Sequence, residues 1–246
     1  MLFPIGDDNS DRTIIPVINY ILIILNIFVF VFLQGLGSNE KFTYAFSAVP
    51  AEIIRGEDIV TPDREVYDRS TGESYTIPGL QPTPISVYLT ILTSMFMHGG
   101  FAHIFGNMIF LWVFGDNIEN RLGHIRYLLF YLLSGTAASL VQIFATVMFQ
   151  GNPYLPSLGA SGAISGVMGG YILLYPKRRV NVILFNFLTA VPAYVALGIW
   201  FVFQLISGFG TAGSGGGGVA YGAHIGGFVF GFITIKLFAA GRNRYN

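Results

Sequence analysis

The sequence predicts an all-α, polytopic membrane protein with six transmembrane helices and a long first loop. Three observations point there. Of 246 residues, 53% are hydrophobic and only 11% charged, with a mean hydropathy of +0.61. A soluble domain carries about 25% charged residues, so these charges are too few to cover a water-facing surface. Apolar stretches near the length a bilayer requires, about 17–25 residues, recur along the chain. Basic residues gather in alternate short connections, the pattern of the positive-inside rule.

Residues 1–13 are expected as a cytoplasmic N-terminal tail. Three aspartates and one arginine argue against a positively charged secretory leader and against an Arg-rich transit peptide. The first apolar stretch is therefore expected to be retained, in a bacterial or archaeal plasma membrane. Residues 14–240 are expected to form the membrane domain. Span one covers 14–33, with Asn19 and Asn26 as polar interruptions. The first loop, about 35–86, holds eight of the thirteen acids together with Lys41, Arg55, Arg64 and Arg69. It is expected to be partly structured, with no strand assigned.

Span two runs from about 101 to 118, approached by an embedded segment at 91–97. Span three covers 127–149. Span four, 161–175, is short. Span five runs from 180 to about 206. A glycine-rich linker at 208–218 is expected to be flexible, and with the end of span five it is expected to form a gate plugged by Trp200, Phe201 and Phe203. Span six covers 220–240, with Lys236 able to snorkel at its end, and 241–246 is a cytoplasmic tail. Arg121, Arg126, Lys177, Arg178, Arg179, Arg242 and Arg244 lie on one side, and the third-to-fourth and fifth-to-sixth connections carry no Lys or Arg. Both termini are thus expected in the cytoplasm. Spans two, four and six then start from the outer face and bring His98, His103, Asn107, Ser161 and His224 to one depth.

Ionisable or nucleophilic groups at membrane depth are expensive, which makes them functional candidates. A serine hydroxyl needs a base to take its proton, and His224 is the one histidine after His124. A carboxylate usually orients such an imidazole, but no Asp or Glu follows Glu119. A serine hydrolase built here is therefore a Ser-His dyad, with its imidazole oriented by packing and neutral hydrogen bonds. His103 and Asn107 stand four apart, on one helical face, and both can donate to an oxyanion. The backbone N–H of Ser161, at a helix start, is a third donor. Helix packing is the competing explanation of Gly159-Ala160-Ser161-Gly162, because small residues let membrane helices approach. The absence of cysteine excludes disulfides, thiol catalysis and cysteine metal sites. His98, His103 and His224 lack the spacing and carboxylate of a zinc hydrolase, so no metal is expected. Zero net charge offers no field for nucleic acid.

Taken together, these motifs resemble the rhomboid family of intramembrane serine proteases. The resemblance is carried by His98, His103 and Asn107, by Glu119-Asn120-Arg121-Leu122-Gly123, by Gly159-Ala160-Ser161-Gly162, and by Ala223-His224-Ile225-Gly226-Gly227 followed by Gly231. It covers about residues 85–240. It implies a rhomboid-like six-helix bundle, a Ser161 nucleophile and a His224 base. It implies an oxyanion hole from His103, Asn107 and the Ser161 amide, with His98, Gly159, Gly162 and Gly227 in support, and no cofactor. Gly227 and Gly231 imply close packing of span six on span four, and Glu119 and Arg121 a structural network. The implied partners are the lipid bilayer and transmembrane segments of other proteins. Two features depart from many members: Ser165 stands where an aromatic residue supports the histidine, and the first loop lacks a Trp-Arg pair. Two other classes compete. A catalytically inactive rhomboid-like factor that binds and traffics membrane proteins usually lacks the serine or the histidine. A small transporter would line a path with ionisable groups, which here stop in the outer half.

Overall fold

The computed structural model describes residues 2–68, 72–184, 187–211 and 219–241. Strand β1 (Leu2–Asp7) precedes helix α1 (Val17–Phe28), which continues through a π-turn at Val29–Leu33. The first loop folds into two short helices and a hairpin. In α2 (Glu40–Ala45) the side chain of Asn39 caps the first turn by accepting from the Phe42 N–H. Helix α3 (Pro50–Arg55) starts on a proline, whose missing N–H is no loss there, and ends at Gly56 with φ +71°. Strands β2 (Arg64–Asp68) and β3 (Glu73–Ile77) pair antiparallel.

A broken helical approach centred on α4 (Thr90–Thr93) leads into α5 (Phe101–Leu122), with a bend of 80° between Val87–Phe96 and α5. Then come α6 (His124–Met148), α7 (Ser161–Leu174), β4 (Arg179–Leu184), β5 (Phe187–Pro192), α8 (Ala193–Thr211) and α9 (Tyr221–Ala239). Among the described residues, α6, α8 and α9 are long and apolar enough to cross a membrane, and the bent pair ending in α5 makes a fourth. Val17–Leu33 and α7 are apolar but shorter. The outer faces of these helices expose large apolar side chains, among them Phe32, Phe144, Phe203 and Ile233, as lipid contact requires.

Helix α7 is the centre. Every residue from Gly162 to Tyr171 is buried, which fits a helix that is hydrophobic all round. It packs chiefly on α9 and α6. The α7–α9 contact is a backbone-to-backbone approach: a Cβ on Gly227 would collide with the carbonyl oxygen of Gly162, and one on Gly231 with that of Gly166. Polar groups tie the other helices together. Glu119, fully buried, accepts from the Ile18 and Asn19 N–H groups (2.9 and 2.7 Å) and so caps the start of α1. Asn19 bridges the Leu111 carbonyl and the Tyr127 hydroxyl, linking α1, α5 and α6.

The structure corrects three sequence expectations. Beside the helical bundle stand two small sheets, so the fold is mostly helical rather than all-α. Of the residues assigned to span five, 180–184 and 187–192 lie in the paired strands β4 and β5, and β1 adds to them in the order β1-β4-β5. The apolar helix of this region therefore starts at Ala193. The segment Arg179-Val180-Asn181-Val182 alternates polar and apolar residues, the period of a strand, but the apolar run that follows masks it. The N-terminal segment, expected as a tail, is tied into this sheet at the end of the bundle where α7 terminates. There Tyr171 donates to Asp7 and Arg178 pairs with Asp11. Burial pushes the Asp7 carboxyl up to about 7, against the opposing pull of that tyrosine bond. Of the linker expected at 208–218, residues 208–211 are helical, and 212–218 lie outside the described residues, as does 242–246 of the C-terminal tail.

Candidate active site

Ser161 is the first residue of α7, and His224 lies in the first turn of α9. The two helices run side by side from the same end, so their first turns meet. His224 Nε2 stands 2.8 Å from Ser161 Oγ. The glycine contacts between α7 and α9 set this distance, because a side chain at Gly227 or Gly231 would hold the helices apart.

The start of α5 supplies the third cluster. Gly159 connects it to the serine loop: a Cβ there would lie 2.7 Å from His103 Nε2 and 3.7 Å from Asn107 Nδ2. The φ of Gly159, +119°, is itself one that L side chains rarely adopt. Its N–H donates to the Ser94 carbonyl at 2.8 Å, fixing the loop on the approach to α5. His103 Nδ1 accepts from the Gly99 N–H at 3.4 Å, which leaves its proton on Nε2, the nitrogen that faces Gly159. Asn107 Nδ2 donates to His98 Nε2 at 2.9 Å and keeps a second N–H. The Ser161 N–H opens its helix and has no acceptor within it. His98, 1% exposed, meets the cluster through Asn107.

Three residues not picked out as site members complete the cluster. Gln204 of α8 presents Oε1 to His224 Nδ1 at 2.8 Å. Gln34, fully buried, accepts from the His98 N–H and donates to the His98 carbonyl, both at 2.9 Å, pinning that loop. Gln142 of α6 accepts from the Ala223 N–H at 3.2 Å and steadies the start of α9. The usable signal for each was an amide side chain alone in an apolar stretch. At the position four after the serine, Ser165 is fully buried and donates to the Ser161 carbonyl at 2.6 Å. The aromatic neighbour of the imidazole comes instead from α8: Trp200, ring centroid 5.9 Å from that of His224 and tilted by 39°. Trp200 and Phe201 both lie against Phe228 of α9, and Phe203 is exposed on the outer face. Of the three rings expected to plug one opening, two therefore pack on α9 and one faces outward.

The first loop buttresses the serine loop from outside the bundle. Ala48 and Ser157 exchange two backbone hydrogen bonds, at 3.0 and 2.8 Å, and the Ala51 N–H donates to Pro153 at 2.9 Å. Among the described residues no three His, Asp or Glu side chains converge as a metal cage. Chemically, the arrangement offers a hydroxyl in contact with an imidazole, and amide and imidazole donors gathered beside it.

A family model described as the rhomboid domain matches residues 86–241. Rhomboid protein 1, mitochondrial, of Saccharomyces cerevisiae is 31% identical over 156 residues, 63% of this chain and 43% of that protein. Rhomboid protease GluP of Bacillus subtilis is 32% identical over 144 residues, 58% of this chain and 25% of that one. Presenilin-associated rhomboid-like protein, mitochondrial, of Bos taurus is 30% identical over 173 residues, 65% and 44% respectively. The chain spans less than half the length of these relatives. The expected address, a prokaryotic plasma membrane with both termini cytoplasmic and the site on its outer face, is overturned by the mitochondrial relatives from yeast, cattle and Arabidopsis thaliana. Hydropathy and charge mark a bilayer protein but carry nothing that distinguishes one bilayer from another.

Proposed function

The chain belongs to the rhomboid family, and on that premise we propose that it is an intramembrane serine endopeptidase that cleaves transmembrane segments of other membrane proteins with a Ser161–His224 dyad. The observation that carries this reading is the 2.8 Å contact between Ser161 Oγ and His224 Nε2. His224 takes the hydroxyl proton as Oγ attacks the scissile carbonyl. The oxyanion that forms accepts hydrogen bonds from the Ser161 N–H, His103 Nε2–H and Asn107. His224 then passes the proton to the departing amine, and water releases the acyl group by the same steps in reverse.

In this reading α1, the bent pair ending in α5, and α6 to α9 make six spans, of which α1 and α7 are the short ones. Helix α7, with 14 residues, rises about 21 Å at 1.5 Å per residue, against a hydrocarbon core of about 30 Å. A helix that short cannot reach both membrane surfaces, and in this reading the Ser161 end is the one that lies below the surface, at the depth of a transmembrane substrate. A helical peptide bond is shielded by its own hydrogen bonds, so the substrate must unwind locally to reach the hydroxyl. The names of the yeast and cattle relatives point to a mitochondrial membrane as its location.

The test is purified protein in proteoliposomes with single-span substrate proteins, the products mapped by mass spectrometry. Cleavage within the membrane segment is expected. Intact substrates across a panel with small and helix-breaking residues in their spans would overturn the reading.

Two variants probe the oxyanion donors. Asn107→Ala is expected to lower kcat by about 10²–10³-fold with KM little changed, the usual cost of one oxyanion donor. A KM-only effect would mean that Asn107 serves packing. Gly159→Ala is expected to push His103 aside, because its Cβ would sit 2.7 Å from Nε2. Its kcat should fall at least tenfold, with the thermal unfolding midpoint measured alongside; unchanged turnover would remove His103 from the mechanism.

A further inference from the structure

We propose that Gln204 is a positioning residue that sets the tautomer of His224. The proposal rests on the serine-protease reading above and extends it to a third helix. Gln204 Oε1 lies 2.8 Å from His224 Nδ1, and the opposite ring nitrogen lies 2.8 Å from Ser161 Oγ. An amide oxygen only accepts, so Nδ1 must carry the proton. Nε2 is then left with its lone pair facing the serine hydroxyl, the form a general base requires. Without such a partner a neutral imidazole divides its proton between the two nitrogens.

The surroundings fit this role. Gln204 is 5% exposed, so water does not compete for the bond. It stands one helical turn after Trp200, whose ring flanks the same imidazole at 5.9 Å. Two side chains four apart on α8 thus hold His224, one through a hydrogen bond and one through its ring. The choice of an amide has a physical reason. An ionised carboxylate at this depth would be costly to desolvate, and the chain places no Asp or Glu after Glu119. The nucleophile, the base and the positioning residue come from α7, α9 and α8. The base is therefore set only while α8 is seated against α9.

The test uses the full-length protein in detergent with ¹⁵N-labelled histidine, the His224 signals being identified by their loss in His224→Ala. The wild-type spectrum should show a protonated Nδ1 and an unprotonated Nε2. Gln204→Leu keeps the size and removes the acceptor; it should mix the tautomers and lower kcat on the order of 10²-fold with KM unchanged, short of the ~10⁴-fold that a wholly wrong tautomer costs a serine protease. Gln204→Glu keeps an acceptor oxygen, charged or neutral, and should retain turnover within about tenfold of wild type. An unprotonated Nδ1 in the wild type would overturn the proposal, as would wild-type kcat in Gln204→Leu or an effect confined to KM. Should Gln204→Leu not fold, the wild-type spectrum and Gln204→Glu decide. A wild-type protein that cleaves nothing defeats the protease reading, while its spectrum still tests the Gln204 bond.

Discussion

Ser161→Ala and His224→Ala are each expected to leave a folded protein that no longer cleaves a transmembrane substrate, with kcat down on the order of 10⁴–10⁶-fold. Nucleophile and base act as a unit, so removing either loses nearly all that the pair supplies. Ser161 Oγ and His224 Nε2 stand 2.8 Å apart, and His224 is the single histidine in the chain beyond His124. Ser161→Ala deletes one oxygen from a partly exposed position. His224→Ala also strips the Gln204 carbonyl of its donor, which costs about 1–3 kcal/mol when a buried acceptor is left unpaired. Thermal unfolding measured beside the cleavage assay separates that loss from the loss of chemistry. Turnover near wild type in either variant would contradict the dyad.

The second large effect is structural. Gly231→Leu is expected to prevent the assembly of α9 on α7, or to lower stability beyond the ~1–3 kcal/mol typical of an overpacked core. Any Cβ at Gly231 meets the carbonyl oxygen of Gly166, a backbone atom that no change of rotamer can move. Even Gly231→Ala should destabilise. Ile233→Leu, on an exposed face, should change stability by no more than the roughly ±0.5 kcal/mol of ordinary surface changes. Thermal unfolding in detergent checks the series, and a wild-type midpoint for Gly231→Leu would mean that the helices are not in backbone contact there. The same substitution should silence cleavage, because the α7–α9 seam also sets the Ser161–His224 distance.

The candidate site was legible where chemistry stands out from its background. In a chain this apolar, Ser161, His224, His103 and Asn107 are conspicuous, and three helix starts at one end of a bundle are enough to gather them. The helical stretches were legible too, since α6, α7 and α9 begin and end within about three residues of the expected spans. The β4–β5 hairpin was not. Beyond the short alternation at 179–182 its residues are mostly apolar, and hydropathy alone cannot separate such a strand from the first half of a span. The partner that turned it into a sheet, β1, lies more than 170 residues earlier in the chain. Gln204 was hidden for a different reason. The lack of any acid after Glu119 indicated that a neutral group must orient the imidazole, but choosing Gln204 needs the rotation of α8 about its axis. Trp200 was noticed as a ring near the end of span five, and only packing shows that it lies beside His224.

The central claim is that Ser161 is a nucleophile activated by His224. The most direct measurement is labelling of the purified protein by a fluorophosphonate probe, with the modified residue located by peptide mass spectrometry. The expected result is a single adduct on Ser161, absent in Ser161→Ala and strongly reduced in His224→Ala. A folded wild-type protein that takes up no probe, or labelling that persists in Ser161→Ala, would contradict it.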